Sequence, residues 1–291
     1  MSGNPDNKSL FGFLNIYKPV GMTSHDVVSV LRRVTKIKQI GHTGTLDPFA
    51  EGVLPICIGK ATRLIEYLQD DKEYLATVQF GAATNTFDLD GEKVFTSDKK
   101  VSRDDIKEGL KSFEGEILQL PPIFSAIKVK GKKLYEYARK GEEVEIQPRK
   151  VVIENIELKN FDEELQQAQI LLKCSKGTYI RSIANDLGKI LACGGYLIKL
   201  IRTQAGKFRF ENSVQLDGID VESNLINPLD ILSLPKIAVD NDDLARIKNG
   251  MPIHKTCDKI GNFVSLIYND VEICAVGIAD GEKIKLKKVF I

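Results

Sequence analysis

The sequence predicts an α+β fold built on a mixed, largely antiparallel sheet with flanking helices, followed by a small β-rich C-terminal module. Three observations predict it. Strand-like segments recur along the chain, with clear apolar/polar alternation over residues 74–80. No regular βαβ alternation supports a parallel doubly wound sheet. Beyond Leu234-Pro235 the pattern changes to closely spaced strands. At 291 residues, 43% of them hydrophobic, the chain can bury one large core and a smaller one.

The elements follow in order. Residues 1–10 are polar with little periodicity and are expected to form a flexible tail. Residues 13–17 read as a strand closed by Lys18-Pro-Val-Gly21. Ser24 is placed to cap a helix carrying Val27, Val28, Val30, Leu31 and Val34 on its apolar face. Gly41-His-Thr-Gly-Thr-Leu-Asp-Pro48 is too rich in glycine and proline for helix interior and reads as a loop. Residues 53–58 return to strand, 62–68 read as helix, and 74–80 alternate as a half-buried strand does.

Ser102-Arg-Asp-Asp105 has the spacing of a capping box opening a helix that runs to Phe113. Two long β segments, 151–158 and 168–174, follow a basic stretch. A helix with Ile180, Ile183, Ala184, Leu187 and Ile190 at helical spacing comes next, then a strand around 196–202. The C-terminal module reads as a short helix over 242–248 and strands over 263–268, 272–277 and 283–290. A module of that size is marginal alone and is expected to dock on the larger domain.

Composition narrows the function classes. No apolar run approaches the roughly 20 residues of a membrane span, and no leader pattern opens the sequence, so no membrane association and a cytoplasmic location are expected. The five cysteines show neither C-x-x-C spacing nor a neighbouring histidine cluster; buried, reduced thiols are expected, and no metal site. A net charge of +1 does not by itself suggest nucleic acid, yet its distribution is uneven. Lys128, Lys130, Lys132, Lys133, Arg139, Lys140, Arg149 and Lys150 cluster in one stretch, and Lys283, Lys285, Lys287 and Lys288 in another. Taken alone, either run reads as a solvated face.

Asp47 is the most informative residue. It stands between Gly44-Thr-Leu46 and Pro48, with Gly52 shortly after, so a carboxylate is held on a stiff loop just before a buried strand. An aspartate before proline is by itself more often a turn former. The whole string changes that reading. Gly41-His-Thr-Gly-Thr-Leu-Asp-Pro-Phe-Ala-Glu-Gly-Val-Leu-Pro55 resembles the catalytic signature of the TruB family, the tRNA pseudouridine-55 synthases. Lys18-Pro-Val-Gly-Met-Thr-Ser24, Lys72-Glu-Tyr74, Gly177-Thr-Tyr-Ile-Arg-Ser182 with Asp186-Leu-Gly188, and Leu200-Ile-Arg202 match further motifs in order, so the resemblance covers residues 11 to about 210.

The resemblance implies a pseudouridine-synthase catalytic domain over 11–233, with an RNA-clamping insertion at about 124–150, and a PUA-like RNA-binding domain over 234–291. It implies isomerisation of uridine 55 in the T arm of tRNA, with no cofactor and no metal, by a chain acting as a monomer. Asp47 takes the nucleophile's position and Arg181 that of its paired arginine. Tyr74 takes that of the tyrosine stacked on the target uracil. Tyr179 and Leu200 match pocket residues, and His42 matches the histidine that fills the space left by the flipped base. Lys18 matches a motif that buttresses the site wall and is counted with the RNA-binding residues, as are Lys130, Lys132 and Lys133 in the insertion. Two rivals are weighed: a non-catalytic tRNA-binding or folding chaperone, and a hydrolase pairing Asp47 with Glu51.

Overall fold

The computed structural model describes residues 10–125, 127–257 and 260–291; all but the last residue of the expected N-terminal tail lies outside them. The main sheet has ten strands. Eight carry the argument: β1 (Gly12–Lys18), β2 (Ile40–His42), β3 (Glu51–Ile58), β4 (Lys72–Phe80), β5 (Gly115–Gln119), β6 (Arg149–Asp162), β7 (Gln167–Cys174) and β8 (Gly195–Ala205). From β1 the order is β1-β3-β8-β4-β7-β6-β5, with β2 paired to β3. These pairs are antiparallel except β3 with β8, and β1 also takes Val214–Gln215 as a parallel neighbour. That is the mixed, largely antiparallel sheet expected.

Helices α1 (Ser24–Thr35), α2 (Arg103–Lys111) and α4 (Ile180–Ile190) flank the sheet, and α3 (Leu134–Lys140) packs on a short two-stranded hairpin outside it. One core gathers Val27, Val28 and Leu31 of α1, Ile106 and Leu110 of α2, and Ile183 and Leu187 of α4 with the inward side chains of the strands. Three helix expectations need correction. The N-cap of α1 is Thr23, which closes a capping box with Asp26. Ser24 is freed for another task, described below. Val34 is 53% exposed, because the buried stripe stops at Leu31. The segment expected as helix over 62–68 is a 3-10 helix, Gly59–Tyr67, burying Ala61 and Leu64. Residues three apart eclipse one another in that tighter coil, so a two-residue stripe suffices to seat it.

A second sheet contains β9 (Lys236–Ala238), β10 (Phe263–Tyr268), β11 (Glu272–Asp280) and β12 (Lys283–Val289) in that order, with α5 (Asn241–Lys248) beside it. It is docked on the main sheet. Ile267, Ile273, Val276 and Phe290 share one buried cluster with Phe13, Val53, Cys57 and Leu64. At about 1.5–3 kcal/mol per large buried apolar side chain, that contact is substantial. Phe290 also stacks on Phe11 at 5.4 Å, and Arg63 Nη1 donates to the Val289 carbonyl at 2.8 Å. No helix among the described residues is long and apolar enough to cross a membrane. All five cysteines are free and four are buried; burial pushes the thiol of Cys57 up to about 12.

Candidate active site

The loop carrying Asp47 is fixed on both sides of that residue. Leu46, Phe49 and Ala50 are buried and anchor it in the core. Ser24 then makes a two-point contact with Leu46: its Oγ accepts from the Leu46 amide at 2.8 Å and donates to the Leu46 carbonyl at 3.1 Å. On the far side of Asp47 the Pro48 carbonyl accepts from the Gly21 amide at 2.8 Å and from Lys18 Nζ at 3.4 Å. Arg202, 1% exposed, holds the loop's approach: Nη2 donates to Gly44 at 3.1 Å and Nη1 to Thr45 at 3.4 Å, while Nε donates to Val53 at 2.7 Å. Gly52 sits at φ +107, where a Cβ would strike the Arg202 backbone, so this crossing of loop and β8 admits only glycine.

Asp47 opens into a cleft of about 690 Å³ lined by Gly44, Lys72, Tyr74, Tyr179, Arg181, Leu200 and Arg202, among others. Arg181, in the first turn of α4, places Nε 3.0 Å from Asp47 Oδ2. The pair is ionic rather than an aligned hydrogen bond, since the Nε–H has no acceptor on its axis. The rest of the guanidinium is committed to the protein: Nη1 lies 3.2 Å from Asp88 Oδ2 and donates to the Thr86 carbonyl, and Nη2 donates to the Phe124 carbonyl at 2.9 Å. The start of α4 is itself held by Gln119, whose amide accepts from the Tyr179 N–H at 2.7 Å and donates to the Tyr179 carbonyl at 3.0 Å.

Electrostatics follow from this placement. Desolvation raises the pKa of Asp47; Arg181 opposes the rise, Asp88 adds to it, and Lys18 opposes it more weakly. The side chain keeps 35% of its surface open to the cleft, so the dehydration comes from the surrounding walls rather than from complete enclosure. Tyr74, paired in register with Arg202 across β4 and β8, is 8% exposed, and burial pushes its phenol up, as it does that of Tyr179. Both rings therefore face the cleft as neutral phenols.

The structure brings Asp47, Arg181, Tyr74, Tyr179 and Leu200 around one cleft. Lys18 requires correction as an RNA-binding residue. It is wholly buried, and its ammonium donates to the carbonyls of Pro19, Met22 and Pro48, which leaves nothing to offer a phosphate. Burial lowers its pKa to about 8. His42 ends β2, next to the loop but outside the cleft lining; its Nδ1 is buried without a partner, and desolvation lowers its pKa. Lys132 and Lys133 lie on a short hairpin against Tyr137 and Tyr135, and Lys130 forms its turn. The following helix α3 sends Tyr135 and Arg139 into the cleft. Glu51, the rival partner acid, is turned away to Tyr17 and Lys199. Among the described residues no three His, Cys, Asp or Glu side chains gather as ligands of one metal ion.

Sequence reasoning missed Asp88, Gln119 and the roles of Ser24 and Arg202. For Arg202 a signal existed, since it alternates in phase with Leu200 and so points a charge inward along a buried strand.

Comparison with known proteins agrees with this geometry. The model of the TruB family pseudouridylate synthase N-terminal domain matches residues 32–180. The tRNA pseudouridine synthase B of Caldanaerobacter subterraneus subsp. tengcongensis is 44% identical over 97% of this chain and all of its own length. That of Carboxydothermus hydrogenoformans is 44% identical over 96% of this chain and 98% of its own. Among solved structures, a chain of an H/ACA RNP bound to a substrate RNA containing 2'-deoxyuridine superposes with a TM-score of 0.73 at 25% identity, covering 100% of this chain and 92% of its own. A chain of a Cbf5–Nop10–Gar1 complex gives 0.71 at 26% identity, covering 100% and 91%. The loop around Asp47, the cleft it enters and the match over most of the chain agree, and the chain belongs to the TruB family of pseudouridylate synthases.

Proposed function

We propose that the chain isomerises uridine 55 in the T arm of tRNA to pseudouridine, acting as a cytoplasmic monomer with Asp47 as the nucleophile. The observation that carries the reading is the Asp47–Arg181 pair, 3.0 Å apart in a cleft walled by Tyr74, Tyr179 and Leu200. The relatives' names supply the tRNA substrate.

A pyrimidine nucleotide extruded from the arm enters the cleft, its unstacking offset by contact with the aromatic and apolar walls. The carboxylate of Asp47 attacks the nucleotide, at the sugar C1′ or at C6 of the base, or assists departure through a glycal; each route frees uracil from its N1 bond to C1′. The base rotates and rejoins through C5, any bond formed to Asp47 breaks to return the free carboxylate, and the C5 proton leaves while N1 gains one. Arg181 keeps the carboxylate ionised in a partly dehydrated site, and Tyr74 stacks on the uracil and relays the C5 proton, its neutral phenol passing on its own hydroxyl proton as it takes up the one from C5. The insertion over 124–150 closes on the arm, and the unit over 234–291 adds a PUA-like RNA-binding surface. Release of tritium from C5-labelled uridine in full-length tRNA, against Asp47→Asn as control, tests the reading. Equal release by both proteins would remove Asp47 from it.

A further inference from the structure

Asp70, just ahead of β4, holds two lysines at once. Its Oδ1 lies 2.8 Å from Lys72 Nζ and its Oδ2 3.2 Å from Lys176 Nζ, and all three residues line the cleft that Asp47 enters. The two lysines differ in standing. Lys72 is 7% exposed and shares the inward face of β4 with Tyr74, its stem running beside Gly44 of the Asp47 loop. Lys176 is exposed, in the turn that leads to α4 and Arg181. Between them the Asp70 side chain keeps 43% of its surface in water.

The cation is therefore the fixed part of this arrangement and the anion the exchangeable one. A buried ammonium requires an anionic or polar partner. An ion pair with a half-exposed carboxylate adds little to stability, so the pairing is a weak reason to keep a lysine in the cleft wall. The two oxygens of a carboxylate are spaced much as the two non-bridging oxygens of a phosphodiester, and lysines accept either as point charges. The neighbouring cation on β7, Lys173, is occupied differently, by Asp71 and Glu154.

We infer that Lys72 and Lys176 form a seat for an RNA phosphodiester in the cleft wall, and that the carboxylate of Asp70 is a stand-in which the phosphate displaces. The inference rests on the RNA-substrate reading above. Asp70 then acts against binding: RNA must expel one anion to seat another, and the lysine beneath stays paired throughout.

Filter binding of unmodified transcribed tRNA across a salt series tests it, using wild type, Asp70→Asn, Lys72→Met, Lys176→Met, the Asp70→Asn/Lys72→Met double variant, and Asp71→Asn as a control removing the same charge one residue away. Asp70→Asn is expected to tighten binding roughly three- to tenfold, as coupling between touching charges allows, and most of that gain should vanish in the Lys72→Met background. Lys72→Met and Lys176→Met should weaken binding and each lower the salt slope by about 0.7–0.9; the exposed Lys176 serves if Lys72→Met folds poorly. Equal effects of Asp70→Asn and Asp71→Asn, or no tightening by Asp70→Asn, would overturn the seat. Tritium release by wild type, run alongside, separates the claims: its absence removes the substrate reading, while its presence with unaltered Asp70→Asn affinity removes only the seat.

Discussion

Asp88 holds Arg181 from within the fold, its Oδ2 3.2 Å from Nη1 with both side chains 7% exposed. With Nη1 and Nη2 committed to Asp88, Thr86 and Phe124, only Nε is left for Asp47. Asp88 is thus a positioning residue acting through Arg181. Asp88→Asn keeps the volume but removes the charge that aims the guanidinium. Single-turnover conversion of tRNA uridine should fall by about 10- to 100-fold, as for other small misplacements of a catalytic group, with RNA affinity little changed. An unchanged rate would reduce Asp88 to a packing role.

Asp47→Asn should lose activity by roughly a thousandfold or more, as removal of a nucleophile does, while raising stability at neutral pH. The sign follows from the raised pKa. The folded state binds this proton more tightly than the unfolded chain. The stability it contributes is full below the unfolded carboxylate range and is lost as pH rises through the folded value. At neutral pH the ionised acid is a burden that the amide lifts. Melting curves of both proteins should show the variant ahead at pH 7 and the gap closing in acid; a variant that melts below wild type at pH 7 contradicts the desolvated carboxylate.

The same shift sets the pH–rate profile. Because burial raises Asp47 and Arg181 restrains it, the acid limb of single-turnover conversion should lie above the ordinary Asp range, and Arg181→Met should move it further up. A limb that stays put in Arg181→Met would mean that the titrating group is not Asp47.

Local signals carried much of the fold and of the site. Strand alternation, the capping box at Ser102 and the glycine–proline loop all have short-range causes, and their elements formed where those causes stand. What sequence missed is non-local. Ser24 reads as a helix cap because serine usually is one, yet Thr23 takes the cap and Ser24 reaches 22 residues along the chain to the Asp47 loop. Lys18 reads as a phosphate ligand by residue type, and only its three carbonyl partners reveal it as an internal strut. Asp88 lies in a turn without periodicity, 93 residues from its partner. Such pairings depend on strand order, which no local pattern encodes.

Arg202 should matter to stability more than its distance from the chemistry suggests. Its guanidinium satisfies the carbonyls of Val53, Gly44 and Thr45 from a buried position. Arg202→Met keeps an unbranched stem but leaves those acceptors without donors, at about 1–3 kcal/mol for each one left unsatisfied. An unfolding free energy lowered by about 3 kcal/mol or more is expected, with Arg202→Lys intermediate because a point ammonium cannot reach acceptors spread around the Nε, Nη1 and Nη2 positions of the guanidinium. Chemical denaturation of the two variants checks this, and an unfolding free energy within about 0.5 kcal/mol of wild type, the margin of ordinary surface substitutions, would show that water replaces the guanidinium.

The hairpin before α3 gives the last prediction. Lys132 and Lys133 lie against Tyr137 and Tyr135, and Lys132 has only a long ion pair with Glu142 at 3.9 Å, so their charges remain available to phosphate. Lys130 occupies the turn between the two short strands at φ +49. Because Tyr135 and Arg139 of α3 line the cleft, RNA held by the hairpin is held at the cleft mouth. Replacing Lys130, Lys132 and Lys133 together by glutamine should weaken tRNA binding at low salt and flatten its salt dependence by up to about 0.7–0.9 per lost contact. Sequence preference should not change, since phosphate contacts position RNA without reading its bases. A salt slope equal to wild type would exclude the hairpin from the RNA interface.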